Sequence, residues 1–236
     1  MKIFLQEFGH QYNKYLFGYT LHALREDIDQ LDDLFQKGFL PYTGNIEIKN
    51  TYYMARSCRI NLEKFAISSE NRRVQKKILP NTLIKSKHTA QEYIKDEPFL
   101  HFCIEYFSKK HGGGIFSKER LQFVLSFSKE VNVIKYTNQH GDAKAYVIES
   151  EGKNVAQYWF AFYDLNAALP SFGVWLMLDC IIAANTKKLK YYYLGTIYGE
   201  KALYKTNFNA LEYWNGNSWL KNTADLKTLA RKDQEL

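Results

Sequence analysis

The amino-acid sequence predicts a mixed α/β (α+β) fold, in which a small N-terminal α+β lobe precedes one larger unit. Three observations lead to this prediction. Strand-like runs follow one another between residues 131 and 163, a nearly all-apolar helical segment extends from Phe172 to Thr186, and shorter strand and helix patterns alternate from there to residue 220. Segregated strands followed by alternating elements are typical of such domains. The 236 residues are enough to bury a sizeable core.

The composition is that of an ordinary globular protein. Hydrophobic residues make up 46% and charged residues 24% of the chain, which excludes wholesale disorder. The first residues lack the apolar core of a signal peptide, and the most apolar run is too short to span a bilayer. Three cysteines, odd in number and far apart, imply no disulfide framework. We expect a cytoplasmic protein without a membrane segment.

The N-terminal lobe is predicted from the first 80 residues. Apolar residues at helical spacing predict an amphipathic helix from Leu21 to Gly38. The segment from Leu40 to Lys64 is rich in Tyr, Thr and Ile and predicts short strands. The Pro80-Asn81 pair is the best candidate for the end of the lobe. We therefore expect a lobe of residues 1–80, a larger domain of residues 81–225 and a polar tail of residues 226–236.

Within the larger domain each element follows from a local pattern. A helical pattern extends from Thr89 to Lys110 and stops at a run of three glycines, which lacks the Lys-Ser/Thr of a P-loop and favours a helix end. Three strands follow, at 131–137, 143–149 and 155–163, and the last two form a hairpin. After the apolar helix come a strand (190–195), a helix (201–207) and two closing strands (211–214 and 218–220).

Positive charge is concentrated in one segment. Between Arg56 and Lys87 nine basic residues are opposed by two glutamates, and this balance of 9 − 2 = +7 equals the net charge of the whole chain. Such a stripe is typical of a protein that binds a polyanion. A solvated cationic face is the alternative.

The element order of the larger domain resembles the GNAT acyltransferase core. In that architecture two central parallel strands separate, and the helix between them points its positive N-terminus at the opening. Typical acetyl-CoA users carry a basic residue and a glycine-rich loop at this junction. Here the junction holds one glycine, Gly173, and no basic residue. The sequence therefore favours an acyl donor other than acyl-CoA.

An ordered set of short motifs extends along both halves of the chain. In the C-terminal half the motifs are Tyr163-Asp164, Ser171-Phe172-Gly173, Tyr192-Tyr193-Leu194-Gly195, Tyr204-Lys205 and Trp219. In the N-terminal half they are Cys58-Arg59-Ile60 and Asn71-Arg72-Arg73-Val74, followed by Tyr106 and Lys110-His111. This ordered set resembles the arginyl-tRNA–protein transferases and their bacterial leucyl-transferring relatives, and the likeness covers residues 15–220.

This resemblance implies transfer of arginine or leucine from a charged tRNA to the α-amino group of a protein N-terminus. It further implies an acidic acceptor and a place in an N-degron-type degradation pathway. We therefore expect aminoacyl-tRNA and protein N-termini as partners of a monomeric enzyme. Two alternatives stay open: an acyl-CoA-dependent N-acetyltransferase on the same core, and a non-catalytic member that binds RNA or protein N-termini.

The predicted site draws on both halves of the chain. The catalytic candidates are Asp164, which would hold an ammonium group, and Tyr204 with Lys205, which would contact terminal phosphates. The candidates for binding substrate and tRNA are Arg59, Arg72, Arg73, Tyr158, Trp159, Ser171, Gly173, Tyr193 and Gly195. Structural roles are the alternatives: a turn or helix cap for Asp164, surface solubility for the arginines, and core packing for at least two of the aromatic residues.

One departure from the family concerns cofactors. Those transferases usually carry an N-terminal cysteine cluster that holds a metal or an iron–sulfur centre. At the matching places this chain has Phe17-Gly18-Tyr19-Thr20 and Tyr52-Tyr53. Phe and Thr cannot replace thiolate ligands. We therefore expect no iron–sulfur or zinc centre, no other cofactor, and a lobe held together by packing.

Overall fold

A computed structural model describes residues 1–11, 13, 16–27, 30–78, 83–167 and 170–233, without the side chains of residues 10 and 16. Its strands are β1 (Lys2–Gln11), β2 (Leu16–Leu24), β3 (Phe39–Pro41), β4 (Thr51–Met54), β5 (Ser57–Asn61), β6 (Ile84–Thr89), β7 (Val131–Thr137), β8 (Ala143–Glu151), β9 (Val155–Tyr163), β10 (Tyr191–Thr196), β11 (Leu211–Trp214) and β12 (Trp219–Leu220). Its α-helices are α1 (Leu31–Gln36), α2 (Ser69–Ile78), α3 (Glu97–His111), α4 (Lys118–Leu125), α5 (Phe172–Thr186) and α6 (Thr223–Lys232). Short 3₁₀ helices lie at Leu62–Lys64, Ala90–Tyr93 and Glu200–Asn207.

The described strands form two sheets. The smaller is antiparallel, with the strand order β1-β2-β4-β3. The larger has the order β12-β11-β5-β10-β9-β8-β7-β6. Within it β9 and β10 are parallel, and the other described neighbours are antiparallel. A mixed sheet with a parallel pair at its centre is the arrangement that the sequence predicted.

The apolar segment predicted as a helix is α5, with the predicted bounds Phe172–Thr186. A helix that is apolar on all sides must be buried, and α5 packs against β9 and β10. The strands β7 to β12 also lie where they were predicted. The GNAT-like order of elements is thereby confirmed. Among the described helices, none combines the length and apolar character that a bilayer crossing requires.

Two hydrophobic cores lie on opposite faces of the large sheet. Phe99 and Phe162 belong to the core beneath α3 and α4, whereas Ile181 belongs to the core around α5. Neighbouring residues of one strand point to opposite faces, so Tyr192 enters the α5 core while Tyr193 enters the other. Each fully buried side chain of this size contributes about 1.5–3 kcal/mol to stability.

The N-terminal lobe differs from its prediction. The predicted helix from Leu21 to Gly38 is wrong in its first part, because Leu21–Leu24 belongs to β2, and among the described residues of this range the α-helix covers Leu31–Gln36. β2 pairs with β1 along its length and with β4 at its end. These neighbours supply hydrogen-bond partners that no local periodicity reveals, and they override the helical spacing.

The helical segment predicted from Thr89 to Lys110 is interrupted. A 3₁₀ turn at Ala90–Tyr93 precedes α3, whose first turn is capped by the Asp96 carboxylate, which accepts the Phe99 N–H at 3.0 Å. The predicted helix at residues 201–207 is likewise a 3₁₀ helix, Glu200–Asn207.

Residues before the predicted boundary contribute to the larger sheet. β5 lies between β11 and β10, and α2 packs against α5. The Pro80-Asn81 pair lies outside the described residues, so the division at residue 80 stays a prediction. The tail predicted at residues 226–236 is helical through Lys232, because Leu226 and Ala230 lie one turn apart and are buried.

Candidate active site

The central feature of the site is the place where β9 and β10 separate. Their described parallel pairing extends from Tyr191 opposite Val155 to Tyr193 opposite Gln157. Both strands continue beyond this point, β9 for six further residues and β10 for three. The two strand ends therefore flank an opening in the sheet.

Each of the two strands carries an extra residue where they separate. The register of β9 with β8 shifts so that Trp159 has no opposite residue. The register of β10 with β5 shifts at Leu194 in the same way. Such bulges bend a strand and increase its twist. The two strands can thus diverge while each stays paired to its outer neighbour.

The N-terminus of α5 borders the opening. Ser171 precedes the helix in the left-handed conformation, with φ 64°, and its carbonyl accepts the Trp175 N–H at 2.9 Å. Gly173 lies in the first turn, where an added Cβ would come within 3.1 Å of the Tyr163 ring. Glycine therefore allows the end of β9 to approach the helix this closely. Ser171 and Gly173 both lie at the opening.

Tyrosine side chains form one wall of the site. The rings of Tyr106, from α3, and Tyr163 lie 4.8 Å apart with an interplanar angle of 57°. Burial and the neighbouring Tyr163 side chain raise the pKa of Tyr106 well above its ordinary value. Burial raises the pKa of Tyr204 to about 12. Tyr204 also lies close enough to Tyr106 and Tyr158 to influence both electrostatically. The hydroxyls of Tyr106 and Tyr204 therefore stay protonated at neutral pH.

Lys205 brings a buried amino group to the opening. The residue is 9% exposed, and its Nζ donates a 2.6 Å hydrogen bond to the carbonyl of Thr196, the last residue of β10. No described carboxylate lies within ion-pair distance of it. Burial lowers the pKa of Lys205, an effect that nearby Cys58 opposes. An ammonium group has three N–H donors, so Lys205 has donors left over for a substrate.

Cys58 and Gly195 complete the surroundings of this lysine. The Cys58 thiol donates to the Gly195 carbonyl at 3.6 Å, and burial raises its pKa to about 11. A thiol with such a pKa is a poor nucleophile. Gly195 has φ +79°, and an added Cβ would lie 4.0 Å from the Lys205 Nζ. Gly195 thus lies beside Lys205, at the end of β10 that borders the opening.

The position of Arg59 argues against the anion-binding role predicted for it. It is 3% exposed, and its guanidinium pairs with Glu212 at 2.9 Å. It also donates to the Gln36 side chain and the Tyr193 hydroxyl, and the rings of Tyr191 and Trp219 lie over it at 3.6 and 3.9 Å. These contacts occupy the guanidinium, and we reassign it to the interior.

Several other predicted residues have structural partners. Tyr158 and Tyr193 are 7% and 0% exposed, and Trp159 packs against Phe127, so core packing accounts for all three. The Asp164 carboxylate accepts the Asn166 N–H at 2.9 Å and pairs with Lys144 at 3.3 Å. Asp164 therefore has the turn role that the sequence analysis gave as the alternative to holding an ammonium group.

The basic segment is largely neutralised, apart from α2. Arg56 pairs with Asp233, Lys85 with Asp179, and Lys87 with Glu149 and Glu151. On α2, Arg72 donates to the Ile67 carbonyl and Arg73 pairs with Glu70, and both arginines are exposed. Lys76 and Lys77 are also exposed, and neither forms an ion pair with a described residue. The solvent-facing positive charge of this basic segment is thus concentrated on α2.

The site predicted from the sequence omitted Tyr106, Tyr163 and Cys58. All three stand within motifs that carried the family resemblance, which was the available signal. Their proximity depends on contacts among α3, β9, β5 and the 3₁₀ helix Glu200–Asn207, which no local pattern reveals.

Known proteins resemble this chain at low identity. No protein-family model matches it. An aspartate/glutamate leucyltransferase of Saccharophagus degradans is 25% identical over 170 residues, covering 69% of each chain. An aspartate/glutamate leucyltransferase of Nitrobacter winogradskyi is 24% identical over 225 residues, covering 88% of this chain and 85% of the relative.

Solved structures resemble it more distantly. L-PGS from Bacillus licheniformis has a TM-score of 0.46 at 11% identity over 77% of this chain. FemX has a TM-score of 0.47 at 8% identity over 70% of this chain. The chain spans less than two thirds of either structure, 65% and 59% respectively.

The two aspartate/glutamate leucyltransferases test the family resemblance that the motifs predicted. Their similarity covers both halves of the chain, including the N-terminal lobe. The predicted resemblance to the aminoacyl-tRNA–protein transferases is thus confirmed at low identity through the bacterial leucyl-transferring relatives, and with it the prediction of an aminoacyltransferase-type enzyme.

Proposed function

We propose that this protein transfers leucine from leucyl-tRNA to the α-amino group of proteins that begin with aspartate or glutamate. The observation that carries the proposal is the similarity to two curated aspartate/glutamate leucyltransferases, one of which covers 88% of this chain. Of the two amino acids that the motifs left open, these names favour leucine over arginine. Modification of acidic N-termini for degradation remains part of the proposal.

The proposed reaction is aminolysis of an activated ester. The acceptor's amino nitrogen attacks the ester carbonyl carbon, a C–N bond forms, and the bond from that carbon to the ribose oxygen breaks. The proton that the amine loses ends on the ribose oxygen. Because the ester is already activated, the enzyme mainly has to position the amine and stabilise the negative oxygen of the intermediate.

The opening between β9 and β10 offers groups for both tasks. Lys205 has two N–H donors beyond its bond to Thr196, and a buried positive charge stabilises a developing oxyanion more strongly than one in water. The protonated hydroxyl of Tyr204 is a further donor nearby. No covalent enzyme intermediate is required, in keeping with the raised pKa of the Cys58 thiol.

The exposed basic surface of α2 supports a polyanionic donor. Arg72, Arg73, Lys76 and Lys77 lie on one helix that packs against α5, whose first turn borders the opening. A basic helix that packs against α5 suits the phosphates of an acceptor stem. The alternative donor, acyl-CoA, is disfavoured because the junction before α5 has no basic, glycine-rich loop.

We propose that the reaction needs no metal or cluster. The positions matched to the family's cysteines hold Phe17 and Thr20 on β2 and Tyr52 and Tyr53 on the adjacent β4. None of these side chains is a thiolate. Tyr52 is 1% exposed and packs edge-on against Phe127, a residue of the predicted larger domain, at 5.4 Å.

The test is a transfer assay with the full chain. Purified protein is incubated with labelled leucyl-tRNA and peptides that begin with Asp or Glu, and in parallel with arginyl-tRNA and with labelled acetyl-CoA. We expect leucine on the acidic peptides, and none on the same peptides with acetylated N-termini. Absence of transfer from any charged tRNA would overturn the proposal, and transfer from acetyl-CoA alone would replace it with N-acetylation.

A further inference from the structure

A cavity lies between the four-stranded sheet and the segment after β10. Its volume is about 530 Å³, within the range of small-molecule sites. None of its described lining residues is an acid, a lysine or an arginine. The lining is aromatic and polar, and its principal members are Gln6, Phe8, His22, Tyr42, Tyr53 and Tyr198.

His22 is the polar group at the base of this cavity. It is 2% exposed, and its Nδ1 has no hydrogen-bond partner among the described residues. A buried polar atom without a partner is unfavourable. Burial lowers the pKa of His22, so the ring is neutral near pH 7 and offers one donor and one acceptor. As a lining residue, the neutral His22 ring can meet a ligand that has a polar edge.

Aromatic rings surround His22. Tyr42 meets it edge-on at 5.0 Å, and Tyr53 lies 5.9 Å from Tyr42. Burial raises the pKa of Tyr53 to about 12, so its hydroxyl is a hydrogen-bond donor at neutral pH. Phe8 and Tyr198 are 73% and 49% exposed. Both line the cavity while remaining open to solvent, so their rings are accessible to a flat ligand.

The charges around the cavity exclude several ligand classes. The lining residues carry no carboxylate that could pair with an ammonium group and no cation that could pair with a carboxylate or pyrophosphate. The Arg56 guanidinium lies over the Tyr198 ring at 4.5 Å and is held by Asp233 and the Ile197 carbonyl. An uncharged planar group with both donors and acceptors matches the lining best.

We propose that this cavity binds one unpaired nucleobase of a single-stranded RNA segment. Aromatic faces stack on bases of any identity, and amide, hydroxyl and imidazole groups bind the base edge. The inference rests on the proposed function and deepens it. It assigns the aminoacyl-tRNA a contact on the N-terminal sheet, separate from the opening where transfer takes place.

The test uses a short single-stranded oligoribonucleotide that carries 2-aminopurine, whose fluorescence falls when the base stacks. The full-length protein should quench it saturably. Phe8→Ala and Tyr198→Ala should each raise Kd about fivefold to one hundredfold, the range for removal of one stacking ring. Leu5→Ala is the matched control, because Leu5 lies on the same strand, is 65% exposed and does not line the cavity. His22→Phe, which fills the base of the cavity, should also weaken binding.

Three results would overturn the inference. The first is an unchanged Kd in both Phe8→Ala and Tyr198→Ala, and the second is equal binding of an oligonucleotide that is abasic at the 2-aminopurine position. The third is displacement of the probe by tetramethylammonium but not by adenosine, which would favour a cation site. The transfer assay separates the two proposals. Leucine transfer together with any of these three results removes only the base site. Quenching that depends on Phe8 and Tyr198, without transfer from any charged tRNA, removes only the proposed function.

Discussion

Two buried cations flank β10, and they differ in what surrounds them. Arg59, on β5, is 3% exposed and has a carboxylate, an amide, a hydroxyl and two aromatic rings as partners. Lys205 is 9% exposed and donates to one backbone carbonyl, without a carboxylate among the described residues. Both lie within motifs that carried the family resemblance, and both were predicted to act on the substrate.

The difference shows that burial of charge does not by itself identify a functional group. A buried ion pair whose donors are all used is held in place and has little left to offer a substrate. A buried amine with one partner is costly unless something else binds it. The number of unused donors, rather than the charge, separates Lys205 from Arg59.

The largest expected effect is the loss of stability when Arg59 loses its carboxylate partner. Glu212→Ala leaves the guanidinium buried without its carboxylate, and we expect a decrease of about 3–5 kcal/mol in the free energy of unfolding. Urea denaturation measures it. Glu70→Ala removes the partner of exposed Arg73 and should cost about 0–1 kcal/mol. Equal decreases in the two variants would contradict the structural role of Arg59.

Lys205→Met tests the other cation. The variant keeps the length of the side chain and removes the charge, and we expect kcat for leucine transfer to fall by about 10²–10³-fold, as when one oxyanion donor is removed. Stability should be unchanged or higher, because an apolar side chain suits the buried position. Lys227→Met, on the exposed face of α6, is the control and should transfer at the wild-type rate. If Lys205→Met were as unstable as Glu212→Ala, Lys205 would be a structural residue like Arg59.

The exposed arginines of α2 are expected to act on tRNA affinity alone. Replacing Arg72 and Arg73 together by Ala should weaken tRNA binding and reduce the slope of log K against log salt by about 0.9 for each phosphate that the protein no longer neutralises. Replacing Lys227 and Lys232 of α6 by Ala removes the same charge elsewhere and serves as the control. An unchanged slope in the α2 variant would show that these arginines do not meet phosphate.

The smallest effect is the pH dependence of stability that Lys205 contributes. Burial lowers its pKa below 10.5 in the folded chain, so between the two values the unfolded chain binds more protons and stability rises with pH. Lys205→Met should lack this rise in urea titrations taken at increasing pH. The titration extends to pH 10.5, because the fall in stability that the raised pKa of Cys58 causes between 9.0 and about 11 occurs in both chains and cancels in their difference. Identical pH profiles would indicate that Lys205 is not desolvated in solution.

Much of the fold could be predicted because it depends on local patterns. The apolar helix α5, the strands β7 to β12 and their order follow from periodicity and turn residues. The prediction failed in the first part of the Leu21–Gly38 helix, because β2 owes its conformation to its neighbours β1 and β4 and not to a local pattern. Helical spacing of apolar residues is compatible with a strand when neighbours supply the hydrogen bonds.

By itself, the sequence determined the order of the elements from β7 to β12, the family resemblance and the identity of Lys205, Gly173 and Gly195 as candidates at the opening. Only the tertiary structure decided which charges are neutralised. Arg59 and Glu212 are 153 positions apart, and Arg56 and Asp233 are 177 apart. Periodicity reports which residues are buried, but the partners of a buried charge come from distant strands and helices. The distinction between a structural cation and an available one therefore arises only when the chain is folded.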